Sequence, residues 1–555
     1  MSTEVDKVVE PDEVTLSVQE SKGSPASKDT TETPVEAPVD PDVAPNQAIR
    51  GVSTRNLPRH FSKAAVVQPN WILYTSAVLG VMISMQYGWS TGQLNYAKFN
   101  NEKDCKFVKA AMATNATLAQ ELDDKKCIMF PGHSKAEWTV VVNAWVVGGM
   151  IGAIVVGRIS DQVGRKRALV YNCFFIIAGA AIEAAVSDIW AFAFGRFLSG
   201  LASGASTGCV GTYINEIAPP HLRSKLGIGL QGGINVGIVL VDTTHFYLDF
   251  YDGWRIIAGF QIVLAGIFLL GAKFVMVESP VWLLLHGHRD EGHKVLVQLF
   301  GEENMDTAMS WIKPEKKPVD VEKQNPCWSE VGHQTVIRGK GLTWGELFAV
   351  EMRRPLVVGM GLACFHKLTG INSIFYYSST LFGGIGVDDP RICNIIVAIV
   401  NLVPTLCSGV VSAKFGNRPM LIFSCAGMCL SSIGITLSLC YDNGGATVAM
   451  ACAFVFSFAI CLGPIMFVVV AAIVPDHARG SVVSIGIFVA WAANLVVGIG
   501  YPYLATALKE YKYVPFAVLS GIATVFVYFL VPETSNLTTA EIQEVFKKIR
   551  GHGRF

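Results

Sequence analysis

The stretch Gly157-Arg-Ile-Ser-Asp-Gln-Val-Gly-Arg-Lys-Arg167 is a basic turn between two long apolar runs, at 138–156 and 168–186. Each run has the roughly 20 residues that cross a hydrocarbon core. Because Lys and Arg are enriched in cytoplasmic loops, the turn is predicted to be a cytoplasmic loop between two membrane spans. Topology alone needs neither Asp161 nor Gly157 and Gly164, which indicates a further role for this stretch.

The composition places the chain among polytopic membrane proteins. Its 555 residues are 51% hydrophobic and 16% charged, with a mean hydropathy of +0.42. The formal net charge is +0, so no overall field indicates a nucleic-acid partner. Most of the 13 cysteines lie in apolar runs without metal-ligand spacing, so neither a metal site nor a cofactor is predicted. No basic-then-apolar signal peptide opens the sequence, so the first span is expected to direct insertion.

Apolar segments divide the chain into two sets of six. The twelve candidate spans lie near residues 71–95, 138–156, 168–186, 190–211, 226–247, 255–276, 355–382, 391–412, 419–440, 446–472, 480–506 and 513–531. The prediction is an all-α membrane protein with six-helix halves at 69–276 and 355–532, joined by a cytoplasmic helical linker at 277–354. Residues 1–68 are predicted to be a disordered cytoplasmic tail, and 533–555 a second cytoplasmic tail, because basic connections recur on one side.

The long polar loop at 96–137 is predicted to lie on the extracellular side. It contains the sequon Asn115-Ala-Thr117, a candidate glycosylation site. It also contains Cys105 and Cys127, the only two cysteines that this topology exposes to an oxidising compartment, which makes them candidates for a disulfide. Free thiols and an unmodified asparagine remain the alternatives.

An internal repeat relates the two halves. Asn215-Glu-Ile-Ala-Pro-Pro-His-Leu-Arg-Ser224 is echoed by Ala471-Ala-Ile-Val-Pro-Asp-His-Ala-Arg-Gly480, with Ile, Pro, His and Arg at matching places. At nearly the same offset, Gly164-Arg-Lys is echoed by Gly416-Asn-Arg, and Glu278-Ser-Pro280 by the stretch around Pro532-Glu-Thr534. Duplicated halves of a membrane protein predict a substrate site between them and transport by alternating access.

With these motifs the chain resembles the sugar porters of the major facilitator superfamily, and in pattern the facilitative hexose transporters. The resemblance runs from about 70 to 545. Its motifs occur in the family's order: Gly157–Arg167, Gly195-Arg196, Glu216 with Arg223, Val277-Glu-Ser-Pro280, Gly370-Ile-Asn-Ser-Ile-Phe-Tyr-Tyr377, Gly463-Pro-Ile465 and Pro532-Glu-Thr534. The resemblance implies a twelve-helix transporter of a monosaccharide, with no enzymatic activity.

The charged motifs read as a latch at cytoplasmic helix ends, where opposite charges pair while that side is closed. In the first half its members are Gly157, Asp161, Gly164, Arg165, Lys166, Glu216, Arg223 and Glu278. The resemblance implies second-half counterparts at Arg418, Arg479 and Glu533. Asn417 replaces an arginine usual in the family, and Ala472 stands where the first half has Glu216. We therefore expect the latch to be weaker in the second half.

Polar and aromatic residues within spans are the candidates for binding sugar, because polar groups are costly in hydrocarbon and usually face a cavity. Amides bind hydroxyls, and aromatic rings cover the C–H face of a sugar. The candidates that match family positions are Gln231, Asn372, Tyr376, Tyr377, Asn401, Trp491 and Asn494. Packing and helix-to-helix hydrogen bonding are the alternative for each of them.

Two departures from the hexose-transporter pattern fall among the candidate substrate residues. The paired glutamines before Gly-Ile-Asn are His366-Lys367 here, and the usual tryptophan after Gly-Pro-Ile-Pro is Phe467. Lys367 places a cation where an amide contacts sugar, and a buried ammonium is costly unless it is paired or neutralised. Pairing with a carboxylate, an anionic substrate and titration are the open alternatives.

Proton coupling depends on the first span. Gln86-Tyr-Gly-Trp-Ser-Thr-Gly92 matches the family's phenylalanine-glycine-tyrosine stretch, and proton-coupled relatives have Asp at the position of Ser90. Because serine carries no proton at physiological pH, facilitated diffusion is predicted. Glu183, Asp242 and His366 could titrate instead, but packed or interface roles are favoured for them.

The function predicted from sequence is transport of a glucose-like monosaccharide across the plasma membrane, with monomer as the default state. The alternatives are a proton-coupled sugar or polyol symporter and a non-transporting sugar sensor. A channel is disfavoured because no selectivity filter is visible. An ATP-driven pump lacks a nucleotide-binding loop, and a membrane enzyme lacks clustered catalytic side chains within the spans.

Overall fold

A computed structural model describes residues 67–96, 99, 129–130, 133–250, 252–312, 352–383, 389–474, 476–535, 537 and 541–546, without the side chains of 224 and 476–481. All regular secondary structure in these ranges is helical, as predicted. The predicted tail at 1–68, most of the 96–137 loop, Cys105, Cys127, Asn115 and the side chain of Arg479 lie outside the described residues.

The first half is a bundle of six long helices. Residues with short polar side chains start several of them. Ser134 and Glu137 form a reciprocal capping box at one helix, and the Asp188 carboxylate caps another. The helices are α1 (Trp71–Gly92), α2 (Lys135–Val163), α3 (Arg165–Ala185), α4 (Ile189–Ile217), α5 (Pro220–Tyr247) and α6 (Gly253–Phe274).

The segment after the first half folds back onto that half. It consists of α7 (Pro280–Leu285), α8 (Arg289–Phe300), a 3-10 turn (Glu302–Asn304) and α9 (Met305–Ser310). The Asn70 backbone N–H donates to the Leu299 carbonyl at 2.8 Å, and the Trp282 indole donates to the Asp161 carbonyl at 2.9 Å. These contacts tie the linker to the start of α1 and the end of α2.

The second half repeats the arrangement with two interrupted helices. Its elements are α10 (Arg353–Leu368), α11 (Ile371–Gly383), α12 (Pro390–Phe415), α13 (Asn417–Cys440), α14 (Gly444–Ser457), a π-helix (Phe458–Leu462), α15 (Gly463–Ala472), α16 (Asp476–Leu508), a 3-10 turn (Lys509–Tyr511) and α17 (Val514–Leu530). Residues 541–546 are helical, and Gln543 donates to the Ile473 carbonyl at 2.7 Å.

Both interruptions lie where the sequence predicts single spans. The predicted span 355–382 is broken between α10 and α11, where Gly370 has φ +92°, a conformation that favours glycine. The predicted span 446–472 contains the π-helix, a local distortion that is frequent at functional sites. Broken helices of transporters usually line substrate sites.

The basic turn is shorter than predicted. Helix α2 continues to Val163 and α3 begins at Arg165, so Gly164 alone connects them, with φ +100°. The expected loop over 157–167 is therefore wrong for most of its length. A glycine in this conformation ends one helix and starts the next without an intervening loop.

Eight helices of the described ranges are long and apolar enough to cross a membrane. They are Lys135–Val163, Arg165–Ala185, Pro220–Tyr247, Gly253–Phe274, Pro390–Phe415, Asn417–Cys440, Gly444–Ala472 and Val482–Tyr511. Helix α17 is apolar but shorter, and α1, α4, α10 and α11 fall at the remaining predicted spans. Exposed aromatic side chains mark helix ends, at Trp71, Tyr247 and Tyr441, as in the belts at membrane interfaces.

The two halves contact each other most extensively along two pairs of helices. Helix α5 packs against α12, and α2 packs against α16. Within the first half, α2 lies along α4, α1 along α5, and α3 contacts α4 and α6. Both halves consequently contribute side chains to the middle of the bundle.

Candidate substrate site and latch

Arg165 is the centre of an ion-pair cluster at one end of the first half. Its guanidinium binds both carboxylate oxygens of Glu216, at 2.8 and 2.9 Å, and Asp161 at 2.8 Å. The Ser279 hydroxyl donates to Glu216 at 2.5 Å, which adds the linker to the cluster. A bidentate arginine–carboxylate pair is stronger and more directional than a single contact. We call this end of the molecule the latch face.

Glu278 binds backbone rather than a cation. Its carboxylate accepts the N–H groups of Arg165 at 2.8 Å and of Lys166 at 3.0 Å, at the start of α3. Negative charge is favoured at a helix N-terminus, where N–H groups lack partners. The Lys166 ammonium donates to the Met276 carbonyl at 2.6 Å, and the Arg223 side chain to the Ala218 carbonyl at 3.1 Å.

The second half repeats the carboxylate cap but not the ion pair. Glu533 accepts the N–H groups of Asn417 at 2.9 Å and of Arg418 at 3.2 Å, after Gly416 with φ +92°. Where Arg165 binds Glu216, the Asn417 amide donates to the Thr534 hydroxyl at 2.8 Å. The Arg418 side chain donates to the Tyr528 carbonyl at 2.6 Å. Among the described side chains, the ion pair of the first half is therefore replaced by a neutral hydrogen bond in the second half.

A polar cavity lies between the halves. Four of the predicted substrate residues line it: Gln231, Lys367, Asn372 and Asn401. The other lining residues are Tyr87, Thr91, Ile234, Ile238, Ile371, Phe375 and Phe458. Its volume is about 20 Å³, space for roughly one water molecule, so helices must move apart before a monosaccharide enters.

Amides from both halves form one cluster at this cavity. Gln231 donates to Asn235 at 3.0 Å, and Asn235 and Asn401 bond across the interface, with Asn401 donating to the Asn235 side chain at 3.0 Å. Asn235 also donates to Thr405 at 2.9 Å. None of the residues that the structure describes donates to the buried side-chain carbonyl of Asn401, so this oxygen can accept from a ligand hydroxyl.

A second amide cluster belongs to the second half. Asn372 donates to Asn494 at 2.5 Å and to the Tyr376 hydroxyl at 3.2 Å, and Asn494 donates to the same hydroxyl at 2.8 Å. Asn372 therefore reaches the cavity from a fixed position at the start of α11. Asn494 and Tyr376 hold it there.

Lys367 and His366 point in different directions. The Lys367 ammonium reaches across the interface to the Tyr87 hydroxyl at 3.4 Å. His366 is buried against Phe458 and Phe467, with ring centroids 5.3 and 5.7 Å away, and it does not line the cavity. Only the lysine of this pair lines the cavity.

Three predicted aromatic residues lie behind the cavity wall. The Tyr87 ring stacks on Trp491 at 5.2 Å, so Trp491 supports a lining residue. Tyr377 donates to the Gly498 carbonyl at 3.1 Å and stacks on Tyr501. Phe467 packs on His366, and the aromatic rings that do line the cavity are Tyr87, Phe375 and Phe458.

A second buried polar network lies within the first half. Glu183 accepts from Gln93 and from Ser199, each at 2.7 Å. Arg196 donates to the Ser90 carbonyl at 3.0 Å and lies over the Trp145 ring. Both charged residues are almost fully buried, and their opposite charges offset each other without direct contact. Asp242 lies elsewhere, with His245 3.9 Å away.

Hydrogen bonds also join the two halves at the end of the molecule remote from the latch face. We call this end the opposite face. The Asn95 side-chain amide donates to the Ser378 hydroxyl at 2.8 Å, and the Asn95 backbone carbonyl accepts from the Ser379 hydroxyl at 2.6 Å. Arg391 binds Asp249 at 3.1 Å, also across the halves. Among the side chains described, hydrogen bonds between the halves lie at mid-depth or at this face.

Two repeated halves around one polar cavity define a membrane transporter of the alternating-access type. The profile of the family described as Sugar (and other) transporter matches residues 76–546, and the chain belongs to that family. It is a transporter and not an enzyme.

Curated relatives cover most of the chain. It is 29% identical over 485 residues to human solute carrier family 2, facilitated glucose transporter member 4, covering 85% of this chain and 90% of the relative. It is 30% identical over 487 residues to mouse facilitated glucose transporter member 3, covering 85% and 92%. A D-xylose transporter of Levilactobacillus brevis is 26% identical, with 74% and 88% covered.

Solved structures show the same fold. The major facilitator superfamily proton:xylose symporter XylE, bound to 6-bromo-6-deoxy-D-glucose, matches with a TM-score of 0.66 at 22% identity, covering 85% of this chain and 99% of that one. The inward-open form of the xylose transporter XylE from E. coli matches with a TM-score of 0.63 at 20% identity, covering 85% and 99%. The fold class predicted from sequence is confirmed.

Proposed function

We propose that the chain carries a monosaccharide across the plasma membrane by alternating access, without proton coupling, and that a hexose is among its substrates. The observation that carries the proposal is the cavity between the halves. Amides from Gln231, Asn372 and Asn401 meet there beside aromatic rings, and the Asn401 amide carbonyl has no hydrogen-bond partner within the described ranges. The glucose and xylose transporters among the relatives support a monosaccharide.

The topology is part of the proposal. The latch face and both termini lie in the cytoplasm, and the opposite face is extracellular, because the basic connections gather at the latch face. The segments 69–276 and 355–532 act as the two moving halves, and the linker moves with the first half, to which it is bonded. A monomer suffices for this cycle.

Uptake of labelled glucose and fructose into proteoliposomes, with and without an inward proton gradient, tests the proposal. We expect saturable uptake that is the same in both conditions, because Ser90 carries no proton and its hydroxyl donates to Gln261 at 2.9 Å. Protein-free liposomes are the control. Uptake only with the gradient would replace facilitated diffusion by symport, and binding without uptake would indicate a sensor.

Symport is the second candidate because the Glu183 carboxylate is buried in a polar network within the first half. Glu183 and Arg196 are joined through Gln93, which accepts from Arg196 at 3.4 Å and donates to Glu183 at 2.7 Å. A carboxylate that changes protonation could alter this network and the packing of Trp145. A Glu183→Gln variant would abolish gradient-driven uptake under symport and leave the rate independent of the gradient under facilitated diffusion.

Closure of the opposite face yields a prediction about the transport cycle. In the double variant Asn95→Cys/Ser379→Cys, we expect oxidation to a disulfide to stop uptake, because the opposite face must open for substrate to enter. Dithiothreitol should restore uptake, which is measured in the same proteoliposomes. Each single cysteine variant is the matched control. Undiminished uptake with the disulfide formed would contradict opening at this face.

A further inference from the structure

The cavity contains one charged side chain, and it is a cation. The Lys367 ammonium lines the cavity beside neutral amides, a threonine and apolar or aromatic residues. The ammonium donates to the Tyr87 hydroxyl at 3.4 Å. Among the residues that the structure describes, no carboxylate comes within ion-pair distance of this ammonium. An ionisable residue at membrane depth is costly and usually functional.

Neither carboxylate buried in the first half pairs with Lys367, although one oxygen of Asp242 has no hydrogen-bond partner among the described residues. Glu183 accepts hydrogen bonds from Gln93 and Ser199 and offsets the charge of Arg196. Asp242 lies beside His245. Neither of them neutralises Lys367, so the charge of the cavity is left for a ligand to balance.

The break between α10 and α11 also favours a negatively charged ligand. Ile371 and Asn372 are the first residues of the 13-residue helix α11, and both line the cavity. The N-terminus of a helix carries partial positive charge and favours anions. Lys367 lies in the last turn of α10, where the helix dipole favours a cation. The ammonium and the start of α11 thus face one space.

We propose that the cavity prefers a monosaccharide bearing a single carboxylate, such as a hexuronate, to the uncharged hexose. Lys367 binds the carboxylate, and the Tyr87 hydroxyl, which can accept from the ammonium and donate to the ligand, provides a second contact. The amides of Gln231, Asn372 and Asn401 bind the hydroxyls. This rests on the proposed function, since it assigns the substrate class of the same cavity.

A carboxylate fits better than a phosphate because the cavity offers one cation. A phosphomonoester carries about 1.5 to 2 negative charges at neutral pH and would leave part of its charge unbalanced in a buried site. A hexuronate carries one charge and differs from the hexose only at C6, so the remaining contacts are retained.

Ligand binding to the purified full-length protein tests the proposal, read as quenching of tryptophan fluorescence by glucose, glucuronate or glucose 6-phosphate. We expect glucuronate to bind at least about tenfold more tightly than glucose. Lys367→Gln, which restores an amide, should remove this preference while glucose still binds. Lys367→Arg keeps the cation and should keep the preference, and Tyr87→Phe should weaken glucuronate binding by a larger factor than glucose binding.

The outcomes separate this inference from the proposed function. Glucose binding without a preference for glucuronate overturns the inference and leaves monosaccharide transport standing. Tighter binding of glucose 6-phosphate than of glucuronate overturns the assignment of a carboxylate. Equal weakening of both ligands in Lys367→Gln, with an unchanged melting temperature, also overturns it. Binding of none of the three ligands by the unmodified protein overturns both.

Discussion

Replacing Gly204 by leucine is expected to prevent the first half from folding. A Cβ atom at this position of α4 would overlap the backbone of Gly149 on α2, and the same holds for Gly200 against Trp145. Glycines at such crossings let two helices approach backbone to backbone, and in a bilayer this packing drives their association. Overpacking costs about 1–3 kcal/mol even where side chains can yield, and backbone yields less. Size-exclusion chromatography of a fluorescent fusion measures the loss of monodisperse protein.

Gly211 on the same helix provides the control. A Cβ atom added there meets nothing within 4 Å, so Gly211→Leu should elute as the unmodified protein does. The two substitutions are chemically identical and seven residues apart in sequence numbering. If Gly204→Leu also gave a normal elution profile, the close crossing of α2 and α4 would be refuted.

The helical architecture could be predicted from the sequence because it depends on local patterns of residues. Apolar runs of membrane length coincide with helices, and glycines between basic residues mark where α2 gives way to α3. The length of the connection between α2 and α3 could not be predicted. Residues 157–163 are charged and polar enough to suggest a loop, but hydrogen bonds to Trp282 and Arg165 let α2 continue to Val163.

The residues that line the cavity could be predicted only in part, because they depend on how each helix is rotated about its own axis. Neighbouring residues of a helix point about 100° apart, so His366 and Lys367 face different directions. Which of the two lines the cavity could not be predicted from the sequence. The lining residue Tyr87 was not among the predicted substrate residues, and neither was Asn235, which is bonded to the lining residues Gln231 and Asn401. Their roles come from contacts across the two halves, with Lys367 and Asn401.

Conversely, three predicted substrate residues hold others in place. Tyr376 and Asn494 are bonded to Asn372, and Trp491 stacks on Tyr87. A pattern of polar residues in spans identifies groups that need partners, but not whether the partner is protein or substrate. Only the geometry of neighbouring helices decides this.

The second large effect is expected for Arg165→Ala at the latch face. Removing one member of a buried ion pair leaves the other charge uncompensated and costs about 3–5 kcal/mol. Since the side chains of Arg165 and Glu216 remain 10% and 16% exposed, we expect the lower part of that range or slightly less, roughly 2–3 kcal/mol. The cluster joins the ends of α2, α3 and α4 to the linker, so transport should fall together with the melting temperature of the purified protein.

Asn417→Ala is the matched control, because Asn417 occupies the equivalent position of the second half. It removes one neutral hydrogen bond, to Thr534, worth about 1 kcal/mol. Glu533 continues to cap α13 through backbone N–H groups that the substitution leaves in place. Arg165→Ala should therefore lower the melting temperature and the transport rate more than Asn417→Ala does. Equal losses in the two variants would mean that the ion pair adds nothing beyond the carboxylate caps shared by both halves, and that the latch is symmetric in energy despite its asymmetric charges.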